Sequence, residues 1–129
     1  MILPTTLCLA AAATLVNIWL AIRCGKIRQS AKISVGDGGN DQLICRMRAQ
    51  ANFIEQTPLT VLLVGLVELA GKGGQWLAPA AAVFIIGRIA HAYGMDGNFN
   101  AGRPIGMLTS MLFQLALIVA GVLTVLGRF

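Results

Sequence analysis

Hydrophobic positions along this chain fall into four long blocks separated by short polar stretches. Residues 2–22 and 105–126 carry no charged side chain. Residues 53–70 carry only Glu55 and Glu68, and residues 76–93 only Arg88 and His91. Each block approaches the ~20 residues that carry a helix across ~30 Å of hydrocarbon. A segment inside a bilayer must satisfy its own backbone hydrogen bonds, which a helix does. The pattern predicts four membrane helices over about residues 2–22, 43–70, 76–94 and 104–126. The second starts ahead of its apolar block and projects beyond the bilayer core. The expected fold class is an all-α membrane protein, a four-transmembrane-helix bundle in one domain over residues 1–129.

The polar stretches read as turns. "SVGDGGND" is rich in glycine and aspartate, and glycine takes positive φ freely. It lacks the lysine and the strand–helix setting of a phosphate-binding loop. "AGKGGQ" is short enough to make the second and third helices antiparallel neighbours. "GMDGNFNAGRP" ends the third helix and places Pro104 in the first turn of the fourth, where a missing N–H costs little. Asn17 and Gln114 are lone polar groups in apolar helices, suited to helix-to-helix hydrogen bonds.

Composition strengthens the membrane reading: 57% of residues are hydrophobic and 12% charged, with a mean hydropathy of +0.76. The net charge of +5 would suggest nucleic acid in a soluble protein. Here Arg23, Lys26, Arg28 and Lys32 gather in the first loop and Arg103 ends the third, whereas the second loop has only Lys72 and the C-terminal segment only Arg128. Lysine and arginine concentrate in cytoplasmic loops, so no nucleic-acid partner is expected. The first and third loops are expected in the cytoplasm, with both termini outside. The basic residues follow the first apolar block rather than precede it, so that block reads as a reverse-oriented anchor, not a signal peptide. Cys8, Cys24 and Cys45 show no metal-ligand spacing and read as free thiols; no metal site is expected.

One stretch resists this picture. "RAQANFIEQTP", residues 48–58, places charge and amides where burial is expensive. On a helix, Arg48, Asn52 and Glu55 fall within about 60° of one another. Arg46 and Gln50 point roughly the other way; a single bundle with one interior has trouble burying both polar faces, and a second subunit could cover the second. Arg88, His91 and Met95 share a face of the third helix, at the same end of the bundle, and Arg103 follows just outside. Together they make a candidate pocket. In a purely structural reading Arg48 or Arg88 neutralises Glu55. One glutamate cannot neutralise Arg48, Arg88 and Arg103, however, so an anionic ligand is a natural missing partner. The planar arginine fork suits a carboxylate. His91 reads equally as a hydrogen-bonded core histidine, Met95 as packing, and Glu68, near the opposite end, as a group reaching water.

"RMRAQANFIEQTPL" and "GRIAHAYGM" resemble the signature of the MAPEG family, membrane-associated proteins of eicosanoid and glutathione metabolism that include the microsomal glutathione transferases. "GDGG" and the histidine of "GRIAHAYG" look more like its bacterial, YecN-type branch. The resemblance covers nearly the whole chain. It implies an integral protein of the bacterial inner membrane, assembled as a homotrimer, with glutathione as co-substrate between neighbouring subunits near the cytoplasmic face. The implied glutathione-binding residues are Arg48, Gln50, Asn52, Glu55, Arg88 and His91. Arg103 sits where the family places an arginine that stabilises the thiolate. Gln56, His91 and Met95 occupy places often held by tyrosines, which removes hydroxyls that would touch the peptide or its sulfur.

The expected activity is that of a glutathione-dependent transferase or peroxidase acting on a lipophilic electrophile or a lipid peroxide. Arg48 and Arg88 are suited to the carboxylates of glutathione, Glu55 to its ammonium, and Gln50 and Asn52 to its peptide groups. Arg103 is suited to lowering the thiol pKa. The rival readings are a non-catalytic membrane protein that binds an anionic metabolite or serves as a scaffold, and a small multidrug-type transporter. The transporter ranks last, because the first helix lacks a carboxylate and surplus arginines repel cations.

Overall fold

A computed structural model describes residues 1–129. Four helices form in chain order: α1 (Pro4–Ala31), α2 (Asp41–Leu69), α3 (Leu77–Met95) and α4 (Gly102–Val125). Pro104 lies in the first turn of α4, as its missing N–H favours. Asn40 caps α2 by accepting from the Leu43 N–H at 2.9 Å. Pro58 lies inside α2, and the helix runs through it.

The largest departure from the sequence pattern is α1, which continues nine residues beyond the expected end at residue 22. Its extension alternates charge with Cys24 and Ile27, which bury against Leu43 of α2. A hydropathy block marks where hydrocarbon contact ends, whereas this helix ends only where Lys32 turns left-handed, at φ 55°. The first loop thereby shrinks, and Arg23, expected in a loop, becomes a buried helical side chain.

The helices alternate in direction. α2 is tied to α1 at both ends: Arg46 Nη1 donates to the Arg23 carbonyl at 2.8 Å, and Glu68 accepts from the backbone of Thr5 and Thr6. α1, α3 and α4 are each long and apolar enough to cross a membrane. α2 carries Arg46, Arg48 and Glu55 in its first half, but its ties make it coextensive with most of α1. α1 and α4 touch α2 and α3 but not each other. The outward faces are aliphatic, including Leu15, Ile18, Leu59, Leu62, Ile86, Leu112 and Val119. Such an exterior suits hydrocarbon rather than water. The interior holds two main apolar clusters, one around Phe84, Phe113 and Leu117 near the chain-terminal end, the other around Leu20, Ala49 and Phe53 toward the loop-one end.

α3 and α4 approach through glycine. A Cβ on Gly94 would collide with the backbone of Gly102 and Arg103, and one on Gly106 with His91 and the Gly87 carbonyl. Small residues allow this approach between membrane helices. The contact fixes the start of α4, with Arg103, against the turn of α3 that carries His91.

Candidate functional site

Arg88 is the largest side chain buried almost completely, at 2% exposure. Its Nη1 donates to Ser110 Oγ of α4 at 3.2 Å, and its Nη2 donates to Asn52 Oδ1 of α2. Nη2 also lies 3.4 Å from His91 Nδ1. Ser110 Oγ in turn donates a hydrogen bond to the Gly106 carbonyl at 2.8 Å. Three helices therefore hold one guanidinium. No carboxylate of the chain pairs with it, and its Nε has no partner. A buried cation needs an anion or several hydrogen bonds to offset lost hydration. Arg88 has the hydrogen bonds but not the anion.

The expected stripe on α2 divides. Asn52 turns inward to Arg88, whereas Arg48 and Glu55 are exposed and take part in neither ion pair of the chain. Arg103 is likewise exposed at the start of α4. Gln50 does point away from Arg48: its Nε2 donates to Asn17 Oδ1 at 3.3 Å, and its Oε1 accepts from Cys24 Sγ at 3.8 Å. Gln114 bridges helices as its isolation predicts, donating to Gln56 Oε1 at 2.9 Å and Thr60 Oγ1 at 3.0 Å. Met95 packs against the apolar cluster that includes Ala49 and Phe53.

Two acidic residues have roles that the sequence pattern did not reveal. Glu68 does not simply reach water; its carboxylate accepts from the Thr5 and Thr6 amides at 2.8 Å and from the Thr6 hydroxyl at 2.7 Å. It thus occupies the electropositive start of α1, a stabilising place for an anion. Asp96, just past the end of α3, forms a buried ion pair with Arg23 and lies 3.7 Å from Arg46 Nε. The Arg23 guanidinium also sits 4.6 Å from the Trp19 ring and 5.5 Å from that of Tyr93. A signal for Asp96 was present: an aspartate beside a helix C-terminus faces the negative end of the dipole and needs a cation. Ser110 gave no such signal, because a serine in an apolar helix usually bonds to its own backbone.

Membership follows from the sequence comparison. The MAPEG family model matches residues 6–123, all but the two ends. The chain belongs to the MAPEG family. It is 25% identical over 95 residues to inner membrane protein YecN of Escherichia coli K12, covering 74% of this chain and 72% of that protein. The same figures hold for YecN of E. coli O6:H1. No solved structure matches. Within this MAPEG protein, the residues of the family-like motifs do not form one enclosed cluster in a single chain. Asn52, Arg88 and His91 meet inside, Gln50 joins α1, and Arg48, Glu55 and Arg103 remain on the surface.

Proposed function

We propose that this MAPEG protein is a glutathione-dependent transferase or peroxidase of the inner membrane, working as a homotrimer with sites between neighbouring subunits. The observation that carries the reading is Arg88: a buried guanidinium, held from three helices, with no carboxylate of its own chain. A carboxylate of glutathione supplies the missing anion. The unpaired Arg48 and Glu55 suit the second carboxylate and the ammonium. Asn52 keeps its amide N–H groups for a peptide carbonyl, since only its oxygen is engaged by Arg88. Gln50, on the opposite face of α2, engages Asn17 and Cys24 of α1 through its amide within the chain, so no ligand group is assigned to it.

Arg103 stabilises the thiolate, because a nearby cation favours the charged form. In transfer, the thiolate pair forms a carbon–sulfur bond to a lipophilic electrophile and the leaving group departs with its bonding pair. In peroxide reduction, the thiolate attacks the outer peroxide oxygen, the O–O bond breaks, and the departing alkoxide takes a proton from water, giving a lipid alcohol and a sulfenic acid. A second glutathione converts the latter to disulfide and water. No protein nucleophile is required.

The test is thermal unfolding of the detergent-purified protein with millimolar glutathione, followed by conjugation with a lipophilic aryl halide. A ligand at 100 times its Kd stabilises the folded state by about 2.7 kcal/mol. Arg88→Gln should abolish that gain. Native mass spectrometry in mild detergent should give trimers. The internal hydrogen bonds of Arg88 favour a second reading, a non-catalytic protein in which the arginine serves structure alone. In that case Arg88→Gln lowers stability equally with and without glutathione, and the wild type gains nothing from it.

A further inference from the structure

The guanidinium of Arg88 offers five N–H donors in a fixed plane. Ser110 takes one at 3.2 Å, Asn52 a second, and His91 lies 3.4 Å from the nitrogen that serves Asn52. The Nε–H has no partner although it is buried. Arginine is therefore clamped on its Nη side, while part of its donor capacity is unspent. A side chain with four rotatable bonds, left free in a cavity, would lose that orientation, and ordering it would subtract from the affinity for any anion.

Ser110 is the part of this clamp that comes from α4. Ser110 is 1% exposed, and its hydroxyl donates to the Gly106 carbonyl at 2.8 Å, which leaves an oxygen lone pair for Arg88. Gly106 is in turn fixed by its contact with His91 and Gly87. The chain Gly106 carbonyl, Ser110 hydroxyl, Arg88 guanidinium thus transmits the rigid α3–α4 contact to the buried cation. We propose that Ser110 is a positioning residue, setting the roll of the Arg88 guanidinium so that its free donors meet a ligand carboxylate. The ligand's identity rests on the glutathione reading; the positioning of Arg88 does not.

Two measurements separate these claims. The first is the nitrogen-15 NMR signature of arginine side chains in the detergent-solubilised protein, with the Arg88 signals assigned by their loss in Arg88→Gln. In the wild type, rotation of the Arg88 guanidinium should be slow. Ser110→Ala should speed it at least several-fold, and Ser110→Thr, which retains the hydroxyl, should restore it. Unchanged rotation in Ser110→Ala overturns the proposal whatever the ligand is. The second is glutathione affinity, where Ser110→Ala should raise Kd by about 5–10-fold. In an Arg88→Gln background the same substitution should add less than about two-fold, since its effect acts through the arginine. A Ser110→Ala loss of the same size in both backgrounds also overturns it. If the wild type binds no glutathione while the NMR result holds, the glutathione reading fails and the positioning of Arg88 stands.

Discussion

Replacing Asp96 with alanine should be among the most damaging single changes at the loop-one end of the bundle. The Asp96 and Arg23 side chains are 5% and 9% exposed. Breaking a buried pair from one side costs about 3–5 kcal/mol, because the remaining charge is left without compensation. Two features reduce that figure. The Trp19 and Tyr93 rings lie 4.6 and 5.5 Å from the guanidinium, and a cation over an aromatic face keeps about 0.5–2 kcal/mol. Arg46, at 19% exposure, can turn to water. A net loss of about 1–4.5 kcal/mol follows from these terms. Asp96→Asn keeps an acceptor and should lose less. The double variant Arg23→Met/Asp96→Leu should recover most of the stability, because a buried ion pair replaced by apolar groups of similar size is often neutral. Equilibrium unfolding in mixed micelles, followed by far-ultraviolet circular dichroism, measures all three. If Asp96→Ala lies within about 0.5 kcal/mol of the wild type, the range of ordinary surface substitutions, the reasoning is refuted.

Gly106→Ala should cost at least the ~1–3 kcal/mol of ordinary overpacking, since the added methyl meets helix backbone. Gly121→Ala, where nothing lies within 4 Å, should instead be neutral or gain up to ~1 kcal/mol; paired thermal melts compare them. Glu68→Ala removes three hydrogen bonds from the start of α1. It should speed amide exchange at Thr5 and Thr6, with a stability loss of about 1.5–3 kcal/mol, the worth of hydrogen bonds to a charged group. Arg103→Ala should leave glutathione binding nearly intact but move any conjugation activity to higher pH: losing a nearby cation raises the thiol pKa, so less thiolate is present at a given pH. For orientation, single cysteines at Val35 and Gln75, in a chain lacking Cys8, Cys24 and Cys45, should label oppositely in intact cells, with position 75 reached from outside. Preferential labelling of position 35 would invert the topology.

The four helices were legible because hydrocarbon as solvent leaves so few choices. A block of about 20 apolar residues has to be a helix there, and all four blocks are helical. Turns rich in glycine, the Pro104 start of α4 and the inter-helix amides of Asn17 and Gln114 were equally readable, since each depends on local chemistry. The residues of "RAQANFIEQTP" identified α2 as polar on two faces, and Gln50 and Arg48 do diverge. Helical periodicity fixes relative angles within one helix.

It does not fix what faces each angle. Asn52 shares a stripe with Arg48 and Glu55, yet only Asn52 lies under α3, so it alone meets Arg88. The true end of α1 escaped hydropathy because its last turns are held by packing on α2 rather than by lipid. Asp96 with Arg23, Glu68 with Thr5 and Thr6, and Ser110 with Arg88 join residues separated by 73, 63, 62 and 22 positions. Such pairings depend on which helix faces each side chain. The sequence by itself determined that charge would be held inside a membrane bundle; only the tertiary structure decided that Arg23 would find its anion within the chain while Arg88 would not. The physical reason is that a charge's cost is set by its own chemistry and burial, but its compensation is set by whichever helix packs beside it.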